Sequence, residues 1–164
     1  MGYTLAPMVE SHRDAVMRIF NHYVRHSFAA YFETALPAAF YDRLLAMAQG
    51  YCAVVALTEA GDVAGFGFLH AYHPATTFRR TAELTYFIAP EHMRRGIGTL
   101  MLERFVAEAR ARGVDTLVAS VSSRTAESLA FHAKHGFVEC GRLHAVGRKC
   151  GEDFDVVWMQ RRGI

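Results

Sequence analysis

The sequence predicts an α/β (α+β) sandwich of three layers, in which a mixed, mostly antiparallel central sheet is flanked by helices. Apolar residues recur three and four apart in some stretches and every second residue in others, the periods of amphipathic helices and of half-buried strands. Glycine and proline stand at the boundaries between these stretches. The stretches follow one another as strand, helix, helix, three strands, helix, strand, helix and two strands, an order that layers helices on a sheet. A chain of 164 residues with 52% hydrophobic and 21% charged side chains is expected to form one domain over 1–164.

A short strand is expected over Tyr3 to Leu5. From Asp14 to Val24, Val16, Ile19, Phe20 and Tyr23 mark one face of a helix. A second helix follows Pro37, with Phe40, Leu44, Met47 and Ala48 inward and Gly50 at its end. Tyr51 to Thr58 and Val63 to Tyr72 form a hairpin through Glu59-Ala60-Gly61-Asp62. Over Thr81 to Ile88, Leu84, Tyr86 and Ile88 alternate with Glu83, Thr85 and Phe87, and Pro90 closes the strand. Gly98 to Ala111 reads as a helix with Leu100, Met101, Phe105, Val106 and Ala109 inward, ended by Gly113. Thr116 to Val121 is a buried strand, and Ala126 to His135 a helix stopped by Gly136. Phe137 to Arg148 and Phe154 to Gln160 are strands joined through Lys149-Cys150-Gly151-Glu152.

Charge and composition exclude several classes of function. Eighteen basic and 16 acidic side chains leave a formal charge of +2 without like-charge runs, which argues against nucleic acid as a partner. No stretch of 18 apolar residues occurs, so no membrane association is expected. The N-terminal Met-Gly-Tyr-Thr-Leu-Ala-Pro has neither a signal-peptide pattern nor the Ser or Thr of a myristoylation signal. Cys52, Cys140 and Cys150 are odd in number and form no CxxC, so neither a disulfide framework nor a zinc site is expected. A cytoplasmic location follows.

Between the strand ending at Ile88 and the helix near Gly98 lies Met93-Arg94-Arg95-Gly96-Ile97-Gly98-Thr99. Two glycines permit a tight turn and close backbone approach. The unpaired amides of a helix's first turn then form an anion site suited to a pyrophosphate, and Arg94 and Arg95 add positive charge. On composition alone, Gly96 could equally end an ordinary loop flanked by solvated arginines. The P-loop pattern fails, because Thr99-Leu100 follows Gly98 in place of Lys-Ser or Lys-Thr. A dinucleotide fingerprint fails too, since its third glycine would fall on Met101.

These residues resemble the GNAT acetyltransferases, whose strand, [RQ]xxGx[GA] loop and helix bind the pyrophosphate of acetyl-CoA. Within that superfamily the chain is similar to the phosphinothricin and methionine sulfone acetyltransferase branch over roughly residues 3–161. Glu83-Leu84-Thr85-Tyr86-Phe87-Ile88, Ser128 to Phe137, and Val146-Gly147-Arg148-Lys149 carry the likeness. The resemblance implies the GNAT fold and acetyl-CoA as cosubstrate. It places the acetyl-pantetheine arm on Tyr86, Phe87 and Ile88, the pyrophosphate on Arg94, Arg95, Gly96, Ile97, Gly98 and Thr99, and further cofactor contacts at Thr125 and Ser128. Four positions depart from the pattern: Met93 for the opening Arg or Gln, Thr125 for an asparagine, Ala75 for an arginine that holds an acidic substrate head, and Asp153 for a tryptophan.

Acyl transfer to an amine requires a neutral amine, a site for the oxyanion and an exit for the thiolate. By resemblance Glu83 is the general base; by residue pattern alone it is a strand-face carboxylate paired with Arg79 or Arg80. The amide of Phe87 or Ile88 is expected to meet the oxyanion. His132 stands where many GNAT enzymes have a tyrosine general acid, with a helix histidine that caps or packs as the alternative. Phe32, Glu33, Phe78, Leu84 and Thr85 are the candidates for acceptor contact. The cysteines lack a base partner, so direct transfer in a ternary complex is expected, and with no HExxH no metal is implied. The expected reaction is acetylation of the primary amine of a small amino-acid-like molecule by a homodimer, the assembly typical of the branch. The alternatives are a CoA-binding regulatory module that has lost catalysis and a protein or peptide N-terminal acetyltransferase.

Overall fold

The computed structural model describes residues 2–164; Met1, which opens the N-terminal stretch read above, lies outside them. The elements are β1 (Tyr3–Pro7), α1 (Arg13–His26), α2 (Phe40–Met47), β2 (Ala53–Thr58), β3 (Val63–Ala71), β4 (Thr81–Ile88), α3 (Ile97–Ala111), β5 (Thr116–Ser122), α4 (Ala126–Lys134), β6 (Val138–Lys149) and β7 (Glu152–Arg162). This is the order the sequence predicts. The strands form one sheet in the order β1-β2-β3-β4-β5-β7-β6. Only β4 and β5 run parallel; the other neighbours are antiparallel.

Each face of the sheet carries its own core. On one side Ala82, Leu84, Leu117 and Ala119 pack with Ile97, Met101, Leu102 and Phe105 of α3, and Tyr86 and Ile88 border them. On the other, Val55, Phe66 and Phe68 pack with Val16, Ile19, Phe20 and Val24 of α1 and with Tyr41 and Leu44 of α2, and Phe87 borders them. The alternation along β4 therefore sends its even-numbered side chains towards α3 and its odd-numbered ones towards α1. Three layers result.

In two expected helix faces one inward residue is exchanged for another. Met47 is 49% exposed, whereas Tyr41 is buried and its hydroxyl donates to the Val9 carbonyl at 2.6 Å. In α3 it is Leu102 and not Leu100 that is fully buried. In both helices one apolar residue on the border of the stripe stays at least partly exposed, and another apolar residue of the helix is buried in its place.

The β4–β5 ladder is brief. It comprises Thr81↔Thr116, Ala82↔Leu117 and Glu83↔Val118, and beyond Glu83 the two strands separate while β4 stays paired with β3 as far as Ile88. Close approach of β3 and β4 requires Gly67 opposite Tyr86, where a Cβ would lie 2.6 Å from the Tyr86 Cβ.

Candidate active site

The fork between β4 and β5 is the centre of the candidate site. In the β3–β4 ladder the Ala89 amide donates to the Ala64 carbonyl and the Tyr72 amide to the Thr81 carbonyl. Bonding partners alternate along an antiparallel pair, so the odd-numbered backbone groups of β4, Phe87 included, point to β3. The backbone groups of Tyr86 and Ile88 point the other way, into the gap left by β5. This corrects one expectation: the Phe87 amide belongs to the ladder with Phe66, and the strand donors open to a ligand are those of Tyr86 and Ile88. The Ile88 carbonyl accepts the Tyr23 hydroxyl at 2.6 Å, which anchors α1 to the rim.

Glu83 stands at the fork. Its Oε1 accepts the Ser120 hydroxyl of β5 at 3.1 Å, and its Oε2 lies 3.8 Å from His70 Nε2 on β3. Neither Arg79 nor Arg80 pairs with it; Arg80 pairs instead with Asp115. Tyr31, in the loop between α1 and α2, stands beside Ser120 and stacks on Phe154 at 5.6 Å. Burial raises its phenol pKa.

The anion loop continues from the same strand. Arg94 (φ 60°) and Gly96 (φ 85°) are left-handed, a conformation that glycine adopts freely and arginine rarely. The first intrahelical bond of α3 runs from the Leu100 amide to the Gly96 carbonyl, so the amides of Ile97, Gly98 and Thr99 have no intrahelical partner. Gly98 has a second duty: a Cβ there would meet the Phe131 ring at 3.2 Å, so its absence lets α4 pack against α3. The Arg94 guanidinium is paired with Glu127 of α4, which leaves it less charge to offer an anion than expected. The Thr99 hydroxyl donates to His135 Nε2 at 3.1 Å, and the Thr125 hydroxyl to the Ser122 carbonyl at 2.7 Å.

His132 is placed differently from a surface acid. It is 4% exposed, and its Nδ1 lies 2.7 Å from the Ser128 carbonyl, which can only accept, so Nδ1 carries the proton. The bare Nε2 then accepts the Tyr86 hydroxyl at 3.0 Å. Burial lowers the imidazole pKa and raises that of Tyr86. The histidine is therefore neutral, with both nitrogens engaged, which is the packing alternative; any proton leaving this couple would come from Tyr86. His135 repeats the pattern, with Nδ1 on the Phe131 carbonyl at 2.8 Å.

The expected acceptor residues divide. Thr85 shares the face of Glu83, but the Leu84 side chain is buried on the opposite, α3 side of the sheet and cannot meet an acceptor at Glu83. The Glu33 carboxylate accepts the Cys150 amide at 3.2 Å. Phe32 packs edge-on against Phe20 and Phe40, and Phe78 packs against His73 and Tyr72 in the connection that precedes β4. Of the departing positions, Ala75 is exposed ahead of β4 and Asp153 pairs with Arg148 at 2.6 Å. Tyr31, His70 and Ser120 are not among the site residues expected from the sequence. They lie 52, 13 and 37 positions from Glu83, and only strand pairing brings them together; a histidine and an acid flanking one loop at similar distances was the only local sign of the His70↔Glu83 pair.

Residues 15–137 match the acetyltransferase (GNAT) family. The chain belongs to that family. Within the GNAT family it is 32% identical over 151 residues to an L-amino acid N-acyltransferase of Escherichia coli, a match covering 89% of this chain and 86% of that protein. It is 33% identical over 112 residues to an L-methionine sulfoximine/L-methionine sulfone acetyltransferase of Pseudomonas paraeruginosa, covering 68% of this chain and 65%, just under two thirds, of the relative. A GNAT superfamily phosphinothricin acetyltransferase from Sinorhizobium meliloti, solved in complex with acetyl-CoA, superposes with a TM-score of 0.92 at 30% identity over 99% of this chain and 89% of that one. No group of His, Cys, Asp and Glu side chains that could hold a metal occurs among the described residues, and no helix among them is long and apolar enough to cross a membrane.

Proposed function

We propose that this GNAT protein transfers the acetyl group of acetyl-CoA to the primary amine of a small amino-acid-like molecule, by direct attack in a ternary complex, with Glu83 as general base. The observation that carries the reading is the fork itself. It combines an open strand edge at Tyr86 and Ile88, three helix amides without intrahelical partners at Ile97 to Thr99, and one carboxylate at the branch point. The names of the relatives, which act on amino acids, methionine sulfone, methionine sulfoximine and phosphinothricin, support the acceptor class.

In this reading the amides of Ile97, Gly98 and Thr99 hold the pyrophosphate, helped by the helix dipole and by Arg94 and Arg95. The edge of Tyr86 and Ile88 receives the pantetheine arm, with the Ile88 amide directed at the thioester oxygen as its charge develops. Glu83 takes the ammonium proton, directly or through a water. Thr85, Phe78 and Phe32 border the acceptor, and Tyr31 joins them. His132 keeps the Tyr86 hydroxyl oriented and is not itself the acid. The chain acts in a reducing cytoplasm, where its three cysteines stay free. It pairs as a homodimer through the edge strand β6, whose Val138, Leu143 and Val146 are exposed.

Glu83→Gln, which keeps the shape of the side chain and removes its basicity, tests the reading. Thiol release should fall by about 100-fold or more, and an undiminished rate removes Glu83 from the mechanism. Sedimentation velocity tests the dimer, which a monomer at working concentrations rules out.

A further inference from the structure

Glu83 faces a histidine across the sheet. His70 and Glu83 are direct partners across the β3–β4 ladder, so their side chains project from the same face. His70 Nδ1 lies 3.1 Å from the Ala71 carbonyl, an acceptor only, and must carry the hydrogen. In its neutral form His70 therefore turns a bare Nε2 towards Glu83 Oε2, itself an acceptor, and the two stand 3.8 Å apart, beyond hydrogen-bond distance. The other carboxylate oxygen takes the Ser120 hydroxyl, which fixes the group in this orientation. Both side chains are 16% exposed, withdrawn from bulk water yet not sealed from it.

We infer that His70 is the relay partner of Glu83, receiving on Nε2 the proton that the carboxylate takes from the acceptor amine. The inference rests on Glu83 being the base. An amine entering as an ammonium ion has two protons to lose before it becomes an amide nitrogen: a C–N bond forms, the C–S bond breaks, one proton ends on the departing thiolate and one in solvent. A lone carboxylate that has taken the first proton cannot take the second. Transfer of the first from Oε2 to Nε2 closes the pair into an imidazolium–carboxylate contact and restores the base for the second, which the thiolate finally receives; the imidazolium then returns its proton to water. His70 is a positioning residue in this scheme, since it acts through Glu83 and not on the substrate.

The test uses the full chain with acetyl-CoA and the amine it turns over fastest, comparing wild type, Glu83→Gln, His70→Gln and His70→Asn. Both His70 variants should lose about tenfold in kcat, with the KM of the amine within about twofold and acetyl-CoA affinity by calorimetry unchanged. Added imidazole should restore part of the rate in the His70 variants and none in Glu83→Gln. An enzyme sensitive to Glu83→Gln but indifferent to both His70 variants overturns the relay alone. So does a loss in both that appears in KM and resists imidazole, because that marks His70 as packing. Absence of acetyl transfer by the wild type overturns the base and the relay together.

Discussion

His132 illustrates how burial decides what a chemically versatile side chain does. Its imidazole is held neutral, with a pKa below the ordinary value, chiefly by burial. The unfolded chain takes up a proton at about pH 6.5, before the folded protein does. Stability is therefore complete above that pH and is lost as acidification proceeds from there towards the lowered native pKa. His132→Gln can still accept from Tyr86 but does not titrate, so its stability should change less between pH 7 and 5 than that of the wild type; denaturant melts at the two pH values measure this, and parallel slopes would contradict it. His132→Phe should cost about 1–3 kcal/mol at pH 7, because it strands the buried Tyr86 hydroxyl. The residue could be singled out from its place four positions before Gly136, but its role could not, because the hydroxyl it meets is 46 positions away.

Between elements, close approach is set by missing side chains and by a few long-range tethers. Gly67 lets β3 lie against β4 at Tyr86, where an alanine Cβ would also stand 2.8 Å from the Thr85 carbonyl. Neither neighbour is the end of a flexible side chain, so Gly67→Ala should cost about 1–3 kcal/mol and lower Tm by several degrees in a calorimetric scan; an unchanged Tm would mean that the strands part without penalty. At the other end of the site Lys149 is only 2% exposed and donates to the carbonyls of Ser27 and Ala30 at 2.5 and 2.6 Å. Burial lowers its pKa. This lysine ties the β6–β7 hairpin to the loop that carries Tyr31 and Phe32. Lys149→Met should raise the KM of the amine and leave calorimetric affinity for acetyl-CoA intact; equal losses in both would show a general collapse. Elements were the most legible level in the sequence, because periodicity and glycine stops are local signals. The exchanges at Tyr41 and Leu102 arise where apolar residues outnumber the places in the face.

Over the whole molecule, the two cores hold a sheet whose central parallel pair is allowed to open. The layer order could be read from the succession of elements, but the insertion of β7 between β5 and β6 could not, and neither could the end of the β4–β5 ladder at Glu83. Both depend on pairing between distant segments, which leaves no periodic trace in either one. A cofactor that bridges β4, the loop 93–99 and α4 should stabilise the fold as a unit, by about 2.7 kcal/mol when present at 100 times its Kd. A concentration-dependent rise in Tm with acetyl-CoA, absent with acetate, checks that the site spans these elements.

The most direct test of the account is thiol release from acetyl-CoA across a panel of methionine sulfone, methionine sulfoximine, phosphinothricin, free amino acids and an unblocked peptide, with wild type and Glu83→Gln side by side. The account predicts saturable release with at least one small amino-acid-like amine, reduced about 100-fold or more by the substitution at unchanged acetyl-CoA affinity. Tight binding of acetyl-CoA with no amine acetylated, or the same rate from both proteins, would contradict it.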